Sequence, residues 1–351
     1  MNRLLDKILG CLAASNIGSA MGAAVEGWSK EAIVEKYGVL QELLPYSHYG
    51  GRQRPPGTTE DGIERQRLMC TAIIEKGDRI SADDLARIWV RDINPANFRV
   101  QMEPCDEILY RLALAGMPAG DIGRYSNWIG LVSFPRSCHP IGLINAANPQ
   151  QAALDAFDVG RLYQPLHGYG LDWAAAVIAA IAEGLKPDPT VDSVIEAATS
   201  YVAEPVKREI MEGISLAEEC RDWQQLRDAF SERYRNVSGS YAMSMAYEVV
   251  TKGLAIFKVV RGDPKEAIIA GVNFGRDTDC TAAVAAGIAG AYGGSSNLPP
   301  EWIQQVDAAT RRNEYTVSRR TLMETAEGMY AALRNRIGRL RRHLEHLEAQ
   351  T

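Results

Sequence analysis

GVNFGRDTDCTAAVAAGIAGAYGG, residues 271–294, sets two acids, Asp277 and Asp279, at the head of a run of mostly small side chains. The acids follow an Asn-Phe-Gly-Arg turn and open a predicted helix over 279–292. Small residues let helices approach closely, so this one is expected in the middle of a crowded helical array. The plainer alternative is ordinary buried core. Residues 172–183 have the same character.

Outward from that stretch, helical periodicity dominates and strand alternation is nearly absent. Helices are predicted near 2–24, 29–36, 60–76, 82–92, 105–115, 149–163, 171–185, 190–203, 205–220, 223–234, 242–260, 264–273, 279–292, 300–310 and 317–349. Ser81 with Asp84 reads as a capping box, and Asp263-Pro264 as a cap followed by proline at the first helical position. The Gly/Pro-rich stretch 45–58 reads as the longest loop. With no repeat and no linker, the expectation is one all-α domain.

The 351 residues are 46% apolar and 23% charged, enough for a sizeable core. A net charge of −6 argues against a nucleic-acid partner. Six cysteines without a CxxC pair suit free thiols in a reducing compartment. The N-terminal run carries Asp6 and Lys7, so it reads as an amphipathic helix rather than a signal peptide. The expectation is a cytoplasmic protein without membrane contact.

A second acidic pair, Glu60 and Asp61, follows Pro-Pro-Gly-Thr-Thr at the start of another predicted helix. Acids at helix N-termini cap exposed N–H groups and complement the dipole. They are also the oxygen ligands that hard divalent cations require. If the two turns meet, a metal relieves their mutual repulsion.

Four stretches in order carry a resemblance to a known family. GVNFGRDTDCTAAVAAGIAGAYGG resembles the C-terminal signature of the ADP-ribosylglycohydrolases, and GTTEDG (57–62) resembles their Thr-Asp-Asp turn. GCLAASNIGSAMGAAVEGWS (10–29) resembles their N-terminal helix, and PIGLINAANPQQAALDAF (140–157) fits their middle section. The resemblance implies a single-domain orthogonal helical array, taken over residues 1–315, and does not explain the C-terminal helix over 316–351. It implies two Mg²⁺ ions, or Mn²⁺ as in some members, held by Thr59, Glu60, Asp61, Asp277 and Asp279. Catalytic parts fall to Glu26 and Asp61, with Glu26 positioning or deprotonating the attacking water. His167 is implied on the substrate side.

Three positions depart from the family pattern. Ser19 stands where an aspartate is usual, Glu60 replaces the first aspartate of the early turn, and Cys280 replaces a threonine. A neutral thiol is a poor ligand for Mg²⁺, so Cys280→Thr is expected to raise Mg²⁺ affinity or restore a second bound ion. Thr281 is the next hydroxyl, but one residue along a helix turns the side chain by roughly 100°.

The implied reaction is cleavage of a ribosyl bond at the anomeric carbon, on an ADP-ribosylated protein or a ribosylated small molecule. A different ribosylated or N-glycosylated metabolite, or a non-enzymatic role on the same scaffold, are the alternatives. No GxxxxGK[ST] loop and no GxGxxG after a strand supports nucleotide binding of those kinds. In the tail, Leu333, Ile337, Leu340, Leu344 and Leu347 repeat at four and three, the pattern of a helical seam. Two heptads are too short to stand alone, so the seam packs either on its own domain or on another subunit, and a homodimer with this helix at its interface is expected.

Overall fold

The computed structural model describes residues 2–48, 51–166, 169–239 and 241–350. Asn2 caps α1 (Arg3–Gly22), and Ser29 caps α2 (Lys30–Tyr37). The strands β1 (Tyr46–His48) and β2 (Arg52–Arg54) then pair antiparallel, with Tyr46 opposite Arg54. After them come α3 (Asp61–Lys76) and α4 (Ala82–Asp92), the latter opened by the capping box of Ser81 and Asp84. The middle of the chain forms α5 (Asp106–Leu114), α6 (Ala119–Ile122), α7 (His139–Ile144), α8 (Pro149–Val159) and α9 (Gly170–Gly184). Next are α10 (Val191–Ser200), α11 (Glu204–Glu219), α12 (Trp223–Arg233) and α13 (Ala246–Val259). Asp263 and Pro264 start α14 (Pro264–Val272), and α15 (Thr278–Gly293), α16 (Pro300–Arg312) and α17 (Leu322–Glu348) complete an all-α array.

At the centre lies α15, packed on α1, α9, α13 and α14. Every residue of it from Thr278 to Ala291 is buried. The α1–α15 crossing is backbone to backbone: a Cβ on Gly290 would stand 2.2 Å from the Gly10 carbonyl oxygen. Near the site, a Cβ on Gly22 would stand 2.6 Å from the Asp279 Cα. The small side chains of residues 281–293 are thus what lets α1 lie close enough to carry its own residues to the site.

Several expectations need correction. α1 is not amphipathic. It is buried from Lys7 to Gly22, and although its length and composition would span a bilayer, 94% of its most apolar window lies inside the fold. Lys7 is tolerated there because its ammonium donates to the carbonyls of Gly184 (2.6 Å) and Lys186 (3.0 Å). The predicted loop 45–58 holds the β-hairpin, short enough to escape any periodicity. α6 and α7 are too short to register as periodic. The helix predicted over 149–163 ends as an α-helix at Val159 and tightens into a 3₁₀ turn. The C-terminal helix begins at Leu322, not 317, because Thr321 and Glu324 form its capping box.

Candidate active site

The late acidic turn is held from two sides. Arg276 takes a left-handed conformation (φ 65°), and the buried Glu248 on α13 fixes it by accepting from its Nε and a terminal nitrogen at 2.7 and 3.0 Å. Such a conformation costs a non-glycine residue energy and persists when its surroundings dictate it. Reciprocal backbone bonds, Gly27 N–H to Arg276 O and Arg276 N–H to Trp28 O, both 2.8 Å, tie this turn to the segment carrying Glu26. Asp277 caps α15 through Oδ1, which accepts the Cys280 N–H at 3.2 Å. Among the described residues no donor reaches the buried Asp277 Oδ2, Asp279 Oδ1 or Thr281 Oγ1.

The early turn is held differently. Glu60 precedes α3 without capping it, because its carboxylate goes to Arg54 of β2 at 2.9 Å, both side chains buried. The Glu60 N–H donates to the Ser19 hydroxyl (3.2 Å) on α1, so the residue found in place of the usual aspartate pins the turn to that helix. Gln101 donates to the Thr59 carbonyl (2.8 Å), and the Tyr46 hydroxyl donates to that of Thr58 (3.1 Å). Thr59, Glu60 and Asp61 are all buried.

One residue outside every motif joins the two turns. The Arg136 guanidinium, buried between α3 and α15, donates to Asp61 and, at 3.0 Å, to Glu103. Its other terminal nitrogen lies 3.5 Å from Asp279 Oδ2 and donates to the Cys280 sulfur at 2.9 Å. A single guanidinium therefore touches both turns. Behind it, Arg65 binds Asp106 at 2.5 Å and also Glu103.

Charge crowding follows from the geometry. Burial pushes the Glu26 carboxyl well above the usual carboxylate range, helped by Asp277, Glu60 and Asp61 and opposed by Arg136. Asp279 is raised in the same way, by burial first and then by Glu26 and Asp277. Burial also keeps the Cys280 thiol well above its ordinary value, hence neutral. Glu26, Glu60, Asp61, Glu103, Arg136 and Asp279 face a common cleft of about 110 Å³. Tyr241, half exposed, forms part of its wall and packs edge-on to Trp128 with ring centroids 4.5 Å apart. The cleft thus gathers the sequence-predicted Glu26, Glu60, Asp61 and Asp279. Asp277 lies behind them at the same turn, and His167 lies outside the described residues.

The chain matches the family described as ADP-ribosylglycohydrolase over residues 1–338. It belongs to the ADP-ribosylglycohydrolase family. A relative in Escherichia coli (strain K12), the uncharacterised protein YegU, is 23% identical over 322 residues, covering 87% of this chain and 93% of that one. Among solved structures, an ADP-ribosylglycohydrolase-related protein complex superposes with a TM-score of 0.66 at 18% identity, covering 95% of this chain and 99% of that one. That likeness supports the fold.

The divalent cations implied by the family can be tested against the donors present. Asp277, Asp279 and Cys280 bring ligand-type atoms within 4.8 Å of one another, and two of the carboxylate oxygens there have no donor. This arrangement fits a cation at the late turn. At the early turn, Glu60 and Asp61 are each already engaged by an arginine. Arg136, Glu103 and Arg54 were invisible to motif reading. Arg136 alone leaves a sequence trace, Gly62 in GTTEDG, whose missing side chain leaves the space Arg136 fills.

Proposed function

We propose that this chain is a metal-dependent glycohydrolase that cleaves a ribosyl bond at the anomeric carbon, with an ADP-ribosylated molecule as its substrate. The observation that carries the reading is the late turn itself: buried, donorless carboxylate oxygens at Asp277 and Asp279, beside a Glu26 carboxyl poised above its ordinary range. Loss of the leaving group develops oxocarbenium-like charge on the sugar. The acids lining the cleft stabilise that charge electrostatically. Glu26, which lines the same cleft as Asp61 and Asp279, is the carboxylate placed to take the proton of the attacking water. A divalent cation, when bound, holds ribose hydroxyls and polarises that water. Asp61, salt-bridged to Arg136, contributes a further carboxylate to the lining of the same cleft.

A second reading rests on the cleft's size. About 110 Å³ is small beside the roughly 300 Å³ at which drug-sized ligand pockets begin. That favours a simpler ribosylated or N-glycosylated metabolite over a whole ADP-ribosyl group. Thermal shift with Mg²⁺, Mn²⁺, ADP-ribose and ribose 5-phosphate separates the two, because a ligand specific to the native state raises Tm. A metal-dependent shift with ADP-ribose supports the first reading, and a shift with ribose 5-phosphate alone supports the second. The double variant Asp277→Asn, Asp279→Asn serves as control, since asparagine still caps α15. If that variant shifts as much as the wild type, the late turn is not the site.

The proposal extends to a homodimer in a reducing, cytoplasmic setting. Six free cysteines and an apolar seam exposed at the end of α17 support it.

A further inference from the structure

We infer that the Arg136 guanidinium is a built-in cation occupying one of the two metal positions, so that the site admits a single divalent ion, at the Asp277–Asp279 turn. The inference rests on the metal-dependent reading above and changes its stoichiometry.

The guanidinium meets the kind of surroundings a metal would. It touches Asp61, Glu103 and Asp279 and the sulfur of Cys280, acceptors drawn from both acidic turns and from the loop before α5. An Mg²⁺ shared by Asp61 and Asp279 has to lie about 2.1 Å from an oxygen of each. The guanidinium already bridges those two carboxylates, and its charge is permanent because arginine does not deprotonate in proteins. Cys280 completes the exchange. A thiol is a poor partner for a hard ion, but here its sulfur accepts from Arg136 at 2.9 Å.

The molecule is shaped to hold this side chain. Gly62 is the second residue of α3, where glycine ordinarily weakens a helix. A Cβ there would stand 2.8 Å from both Cδ and Nε of Arg136, so the absent side chain makes the groove in which the arginine lies. The arginine's own loop is fixed. Its N–H donates to the Val132 carbonyl (3.0 Å), the Ser137 hydroxyl donates to that of Ser133 (2.8 Å), and the buried Phe134 stacks on Tyr163 at 5.0 Å between ring centroids. From behind, Arg65 holds Glu103 against it. The oxygens Arg136 does not satisfy, Asp277 Oδ2 and Asp279 Oδ1, are the ones left for a cation.

Manganese titration of the full-length, chelator-stripped protein tests this. Stoichiometry is read by calorimetry and the spin state by electron paramagnetic resonance, because two ions about 3.5–4 Å apart interact magnetically. The wild type is expected to take one Mn²⁺ per chain with the spectrum of an isolated ion, and Arg136→Ser to take two with a coupled spectrum. Arg136→Lys, which keeps the charge, is expected to stay at one. Where Arg136→Ser loses its helical circular dichroism, Arg136→Met replaces it, since methionine preserves packing over Gly62 and removes only the charge. Two coupled ions in the wild type, no ion at all, or one ion in the neutral variant would each overturn the inference. Hydrolysis is scored separately. One bound Mn²⁺ without ribosyl cleavage defeats the glycohydrolase reading alone, whereas two ions with cleavage defeat only the role of Arg136.

Discussion

His139 lies wholly buried on α7 with its Nε2 3.1 Å from the Ala283 carbonyl of α15, in space that the missing side chain of Gly287 leaves open. Burial pushes its imidazole down to about 4 from an ordinary 6.5. Between those values the unfolded chain binds a proton that the native one refuses. Stability therefore rises with pH across that window and is lost as pH falls through it. The full effect is on the order of 3 kcal/mol at about 1.4 kcal/mol per unit. Replacing His139 with asparagine should flatten the acid limb of a stability profile measured by urea unfolding at pH 7 and pH 4. A variant that loses stability on acidification as steeply as the wild type would show that other groups govern the limb. Cys280 is read differently once its surroundings are known. Its sulfur is engaged by Arg136, so on the single-ion proposal Cys280→Thr alone is expected to leave the metal count unchanged.

At the scale of elements, the α1–α15 crossing decides whether the site exists. It carries Ser19 to the early turn and brings the Glu26 segment to the late one. Gly→Ala inside a helix ordinarily stabilises by up to about 1 kcal/mol. At Gly290 the sign should reverse, because the added methyl would press on the Gly10 carbonyl at 2.2 Å. Overpacking of that kind costs about 1–3 kcal/mol. Gly338→Ala on α17, where the nearest neighbour is an Arg342 nitrogen at 3.6 Å, is the matched control and should be neutral or mildly stabilising. Chemical denaturation of the two variants gives the comparison, and equal changes at both positions would contradict the packing argument. The β-hairpin has a comparable positioning role, since β2 delivers Arg54 to Glu60.

For the whole molecule, α17 has two parts. Its first half is integral: Leu322, Ala326, Met329, Ala332 and Leu333 are buried, and the helix packs on α1, α3 and α7. Arg336 is buried too, donating to the Ile144 carbonyl at 2.6 Å and to the Asn145 side chain at 2.5 Å. Beyond it, Leu340 and Leu344 are each 55% exposed and Leu347 49%. Those three leucines continue the seam half exposed, which is the basis for the proposed homodimer. A deletion from residue 335 would remove the Arg336 anchor along with the seam, so the informative truncation is 340–351. Light scattering should give a dimeric mass for the full chain and a monomeric one after truncation. A full chain that is already monomeric at micromolar concentration would end the idea.

The all-α class, the caps at Ser81 and Asp263, the crowded place of residues 281–293 and the family followed from the sequence alone. Each is written in local periodicity or in short motifs that survive without three-dimensional context. The two acidic turns were legible for the same reason: each sits at the head of a helix, and Asp277 does cap one. What only the tertiary structure decided is what stands between them. Arg136 comes from a loop without periodicity, 75 residues from Asp61 and 144 from Cys280, and nothing in its neighbours along the chain marks it. Ser19 looked like a lost aspartate until the Glu60 N–H was found on its hydroxyl. Local sequence specifies helices and their ends, whereas the partner of a buried charge depends on which distant segments the packing brings within hydrogen-bond reach.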